Sequence, residues 1–395
     1  MKKGLLALAA GTFGFGMTEY VMMGILPAIA HDFGISIPSA GHFISVYALG
    51  VGIGAPLMVL IARKRPLRQI LLGLIAIYIL ANIGLSLAPD EKIALLLRFI
   101  SGLPHGAFFG VGAIVAEKIA PPGRKSGAVA LMIAGMTVAT LIGVPFGTWI
   151  TRLFSWRTTF MLIGFWGKAV LVLIRWWVPK MDPLPGTGLA GEFAFLKKPA
   201  PWLIIAASIL GNGGIFCWYS YITPLLTHVS GFSAAAIPSL MIAAGFGMFI
   251  GNLTGGRLSD RFTPGRVSAA TQSAASIALA LVFLFAGHSW TSVALMIFLT
   301  ACLFAMSTPE QVLLIDHSQG GELLGAALAQ VAFNLGNALG AYCGGFPVSA
   351  GRPYNYTAAV GIFFALAGFL LLLVLVKRYP DKPAHPAQTA AEPHS

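Results

Sequence analysis

The chain has 395 residues, 57% of them apolar and 10% charged, with a formal net charge of +12. A soluble domain carries roughly 25% charged residues, so this composition cannot clothe a water-facing surface, and a soluble enzyme or a disordered chain is excluded. The Lys and Arg lie in short breaks between long apolar runs rather than on one basic face, which excludes a nucleic-acid partner as well.

A helix crosses hydrocarbon with about 20 mostly apolar residues, and only helices satisfy the backbone of such isolated runs in lipid. The runs predict spans over 4–30, 40–62, 69–88, 93–117, 126–150 and 158–178, and then over 201–227, 235–257, 266–287, 291–314, 322–348 and 355–376. The first begins like a signal peptide, after Lys2 and Lys3. It stays apolar past Glu19 to Ala30, longer than a cleaved signal, and is therefore read as a retained span. Residues 179–200 are Pro/Gly-rich and polar, as a linker would be, and 379–395 read as a disordered cytoplasmic tail. The expected architecture is an all-α membrane protein with two six-helix halves, 1–178 and 201–378, and no partner copy.

Eighteen Lys and Arg fall at breaks on one side, including Arg63, Lys64, Arg65 and Arg68, against Lys92, Arg152, Arg157 and Arg352 on the other. Basic loops stay inside, so both termini and the linker are expected in the cytoplasm. The +12 then reflects topology and says nothing about an acidic substrate. Shifting the first half by 197 residues superposes nine glycines on glycines, among them Gly50 on Gly247, Gly54 on Gly251 and Gly143 on Gly340. About three such coincidences would arise from glycine frequency alone, so the chain is read as an internal repeat. Six spans per copy is an even number, so the copies are parallel, the arrangement of the major facilitator transporters.

Most acidic residues lie at span ends. Glu19 sits mid-span, where a carboxylate is costly and therefore usually functional. Desolvation raises a carboxyl pKa and a nearby cation lowers it, so a group between the two can load and release a proton as water access changes sides. Arg98 and His105 of the fourth span are its expected partners. At ~1.5 Å per residue, Arg98, Glu19 and His105 lie ~9, ~16 and ~20 Å from the outer edge, within reach of one pocket. Gly102, Gly106 and Gly110 form a small-residue ridge suited to helix packing. Gln330, Asn334 and Asn337 share one helical face, and amides suit hydroxyl-rich ligands because they both donate and accept. Asn212, Trp218 and Tyr219 are further pathway candidates, with an aromatic belt as the alternative for the rings. Glu310 reads as a solvated span end, with a second proton site as the alternative. Cys217, Cys302 and Cys343 read as buried free thiols.

Several segments now resemble a known family. Gly143-Val144-Pro145-Phe146-Gly147, after Gly135, is similar to the antiporter motif of drug:proton antiporters of the major facilitator superfamily, one terminal glycine missing. Arg98-x-x-x-Gly102 is similar to that family's proton-linked motif. The stretch from Gly251 through Asp260 and Arg261 resembles the superfamily's interhelical gating signature, matched by Gly54 in the first copy. Glu19-Tyr20 with Gly24, Pro27 and Asp32 resembles its first-helix pattern. Arg63 stands where the repeat has Asp260, so only Asp260 can serve as the acidic latch. The chain resembles the sugar-efflux branch over nearly its whole length. That resemblance implies a bacterial inner-membrane antiporter whose partners are protons, lipid and a small solute such as arabinose, with Gly54, Gly143, Pro145, Gly147, Asp260 and Arg261 in gating. A multidrug exporter for amphipathic compounds is the alternative. No HExxH, GxSxG or metal-spaced cluster occurs, so neither an intramembrane enzyme nor a metal or cofactor is expected.

Overall fold

A computed structural model describes residues 2–62, 65–120, 125–182, 193–319 and 322–380, which hold helices and no strand. The first six spans are α1 (Lys2–Phe33), α2 (Ile37–Ala62), α3 (Leu67–Ser86), α4 (Glu91–Ile119), the pair α5 (Lys125–Val138) and α6 (Val144–Leu153), and α7 (Trp156–Trp177). The second six are the pair α8 (Pro199–Tyr219) and α9 (Ile222–His228), then α10 (Ile237–Arg261), α11 (Pro264–Phe285), α12 (Ser289–Asp316), α13 (Glu322–Ser349) and α14 (Tyr356–Arg378). Every predicted run coincides with a span. Counted over the described residues, eleven of these are long and apolar enough to cross a membrane. Large apolar side chains such as Leu80, Trp176 and Phe363 face outward, as on a surface bathed in acyl chains.

Two spans are broken, each for a reason written in proline. Pro145 has no N–H, and in a regular helix its ring would strike the carbonyl of Leu141. The chain widens there into a π-turn over Ala139–Gly143, closed by Val144 N–H donating to Ala139 O. Pro224 likewise cannot bond the carbonyl of Ser220, and α8 gives way to α9 at that point.

Helix pairs repeat between the halves. A Cβ on Gly50, Gly54 or Gly102 would collide with the backbone at Phe99, Leu103 or Tyr47, so α2 and α4 touch main chain to main chain. Gly247, Gly251 and Gly255 of α10 meet the carbonyls of Ile297, Ala301 and Ala305 of α12 in the same way. The internal repeat is thus a repeated helix pair. Gly106 continues the α4 ridge against Ala55, but open space surrounds Gly110, so the ridge stops one turn earlier than its spacing suggested.

The halves meet along α2 with α13 and along the π-turn and α6 with α10. Ser45 Oγ donates to Ala338 O at 3.0 Å and Thr223 Oγ1 to Met23 O at 2.6 Å. The rings of His42 and Tyr342 stack 5.8 Å apart. These contacts run from mid-helix toward the end remote from α1's N-terminus. At that end Asp32 accepts from Trp156 Nε1 at 3.0 Å and pairs with Arg157 at 3.0 Å, while Arg157 also donates to Ala88 O. This strut ties α1 to α7 and the α3–α4 turn.

Candidate functional site

The α2–α4 glycine contact sets the site's first wall, because it lays Tyr47 against His105. Tyr47 Oη and His105 Nδ1 are 2.8 Å apart. The other ring nitrogen, Nε2, lies 3.9 Å from Glu19 Oε2, close for charge but long for a hydrogen bond. Glu19, 6% exposed, points into the bundle and not at lipid. Its Oε1 accepts from Asn337 Nδ2 of α13 at 3.1 Å. Asn337 Oδ1 in turn accepts from Asn212 Nδ2, which also donates to Phe333 O at 2.7 Å. A polar chain therefore runs Tyr47–His105–Glu19–Asn337–Asn212, through α2, α4, α1, α13 and α8. Glu19 is where it passes from one half to the other.

Arg98 is fully buried and does not snorkel to a surface. Its guanidinium lies 4.0 Å from the Tyr47 ring centroid and 5.6 Å from that of Phe160, and Nε donates to Phe43 O at 3.2 Å. Among the described residues it forms no ion pair with Glu19, although it stands near enough to act on that carboxyl through space. Its two terminal nitrogens have no hydrogen-bond partner. The arginine is thus held by ring faces, which leaves its charge available to the pocket.

The remaining sequence candidates divide. Asn334 turns back to Gln330 O at 2.9 Å, leaving Oδ1 unpartnered, and Gln330 is half-buried. Of the amide face only Asn337 touches Glu19. Trp218 and Tyr219 are buried in the bundle interior and not displayed as a belt, and the Trp218 indole N–H has no partner. Gly143 and Gly147 let the fifth span close on Met17 and Val21 of α1. Pro145 lines a groove of about 500 Å³ with Phe146, Trp149 and Ile242, between α6 and α10 and apart from Glu19. Arg261 is exposed at the end of α10, 5.7 Å from the Phe262 ring. Arg63 and the Asp260 side chain lie outside the described residues.

Two readings change. Glu310 is not a solvated span end: it is 1% exposed, because α12 continues past it to Asp316 and its carboxyl meets Gln272 of α11. Tyr47 has no place among the sequence candidates, yet it is the partner of His105. The signal was present in the facing glycines of the second and fourth spans.

A family model described as the Major Facilitator Superfamily matches residues 8–327 and 224–394. AraJ of Escherichia coli (strain K12) is 46% identical over 393 residues, covering 100% of both chains. A chloramphenicol resistance protein of Streptomyces lividans is 28% identical over 386 residues, covering 95% of each. Among solved structures, a bacterial homologue of the human lysosomal transporter Spinster, inward-facing and occupied, aligns with a TM-score of 0.71 at 19% identity, over 94% of this chain and 96% of that one. Twelve spans in two repeated halves and a sequence match along the whole chain agree: the protein belongs to the major facilitator superfamily and is a multi-pass membrane transporter.

Proposed function

We propose that the chain is a proton-coupled exporter of a small solute, a sugar such as arabinose, that works by alternating access between halves 1–178 and 201–378. The observation that supports this most directly is the placing of Glu19 between the halves, beside His105 of its own half and bonded to Asn337 of the other. A hydrogen bond to a charged group contributes about 1.5–3 kcal/mol, against about 0.5–1.5 for a neutral pair. Protonating Glu19 therefore weakens the join between the halves by roughly 1 kcal/mol, about fivefold in a conformational equilibrium. A proton taken up by Glu19 loosens α1 from α13, and its loss to His105 or to water restores the stronger bond. The bonds at Ser45 and Met23 make the end remote from the termini the closed one, and the positive-inside pattern makes that end the outer face of a bacterial inner membrane.

The coupling is tested in inverted membrane vesicles energised by a proton gradient. Glu19→Gln preserves shape and a neutral bond to Asn337 but cannot take up a proton, so uphill accumulation is expected to fall to the level of equilibration while downhill exchange persists. Uphill transport by this variant at the wild-type rate would refute the carboxyl's role. A second reading, export of amphipathic drugs, is favoured by the similarity to a protein named for chloramphenicol resistance. A ligand-induced thermal shift that responds to sugars and not to lipophilic cations supports the first reading, and the reverse supports the second.

A further inference from the structure

A second buried carboxyl lies in the other half, outside the chain of contacts around Glu19. Glu310 stands six residues before the end of α12 at Asp316, ~9 Å from the end of the bundle that holds α1's N-terminus. Glu19 lies ~25 Å from that end by the same rise per residue, so the two differ in depth as well as in half. Gln272 of α11 uses Nε2 twice, donating to Glu310 Oε1 at 2.7 Å and to Ala207 O of α8 at 3.1 Å. The Ser208 hydroxyl of α8 faces the same carboxyl. The space is shaped around the amide, because a Cβ on Gly211 or Gly368 would strike the Gln272 side chain.

Two atoms are left over: Glu310 Oε2 and Gln272 Oε1 are both buried and both without a hydrogen-bond partner. Both are acceptors, and they belong to side chains that are already bonded to each other. One hydrogen between them resolves both deficits. A proton on Oε2 would donate to Gln272 Oε1 and complete the paired bonds of a carboxylic acid with a primary amide. A charged Glu310 would instead leave Gln272 Oε1 orphaned and set a negative charge in the apolar interior, with the Gln272 amide and the Ser208 hydroxyl as its donors.

No cation compensates such a charge: among the described residues Glu310 forms no ion pair. The helices packed on α12 are α8, α10, α11 and α13. Arg257 and Arg261 of α10 and Arg266 of α11 are exposed near their helix ends, and Asp316 and His317 close α12 itself. On α8 the titratable Cys217 and Tyr219 lie about two turns or more beyond Ser208, on α13 Cys343 stands in the last two turns, and the side chains of Asp260 and Glu322 are outside the described residues. α8 packs chiefly on α13 and α14, whereas α12 packs chiefly on α10 and α11, so the Gln272 amide, which reaches both Glu310 and Ala207 O, bridges two groups of helices.

We propose that Glu310 is a second proton-binding site, its proton held between the carboxyl and Gln272. The inference does not depend on the role given to Glu19. Infrared spectroscopy of the purified full-length protein in lipid nanodiscs tests it, by following the C=O stretch of protonated carboxyl groups at neutral pH. Glu19→Gln should leave such a band, and adding Glu310→Gln should abolish it. Absence of the band in Glu19→Gln, or its survival unchanged in the double variant, would overturn the proposal. Where Glu310→Gln does not fold, Gln272→Leu in the Glu19→Gln background serves instead. There the band should move to higher frequency, as for an acid that has lost its amide partner, and an unmoved band would equally refute the assignment.

Discussion

A carboxyl group in the bilayer interior costs several kcal/mol unless other groups take over its hydration, and Glu19 has two such groups from two different halves. Asn337 fills one oxygen directly, while His105 stands off the other by a gap that a shift of about 1 Å would close to hydrogen-bond length. The Tyr47 hydroxyl holds the imidazole for that role. Tyr47→Phe keeps the ring against Arg98 but strips His105 Nδ1 of its buried partner, which is expected to lower stability by about 1–3 kcal/mol, read as a fall in the thermal midpoint of detergent-purified protein. Asn337→Ala removes the only hydrogen bond to Glu19 seen among the described residues while leaving Asn212 bonded to Phe333 O. Its export rate should drop at least tenfold with little change in thermal midpoint, and a wild-type rate would separate the Glu19–Asn337 bond from transport. Glu19, Arg98, His105 and Asn337 are each legible in the sequence, since a polar residue inside an apolar run stands out by composition. Their joining is not legible, because Glu19 and Asn337 are 318 residues apart.

Helices set how closely these side chains can approach. Gly50, Gly54 and Gly102 bring the backbones of α2 and α4 together, and without that approach Tyr47 could not reach His105. Gly102→Ala puts a methyl against the Tyr47 carbonyl, where no flexible side chain can yield. Both thermal stability and export should fall, and Gly251→Ala should do the same in the repeated pair by meeting Ala301 O. Gly110→Ala is the control: nothing lies within 4 Å of the added methyl, and alanine is the better helix former by about 1 kcal/mol. Its thermal midpoint should hold or rise. Equal losses at all three positions would mean that the ridge extends further than the close contacts do. The breaks at Pro145 and Pro224 belong to this scale too. The prolines are visible in sequence, but whether a proline kinks, widens or ends a helix depends on the neighbours that accept the displaced turn.

Across the whole molecule, two repeated halves are pinned from mid-depth toward one end, and transport by alternating access requires that pinning to come undone. Ser45 Oγ lies 3.0 Å from Ala338 O across the join. A Ser45→Cys/Ala338→Cys pair, oxidised, should therefore arrest export, and reduction should restore it. Undiminished export with the crosslink formed would show that this end does not open. The spans, their parallel duplication and the one-sided excess of basic residues at their ends are legible in sequence alone, because crossing hydrocarbon demands length and apolarity that a local window can measure. Which mid-span polar groups meet, that Glu310 is buried against Gln272, and that the glycine ridge stops at Gly106 were decided only in the tertiary structure. Each depends on the rotation and spacing of helices distant in sequence, and lipid, being as apolar as the side chains it contacts, leaves those quantities to close packing and hydrogen bonds between helices.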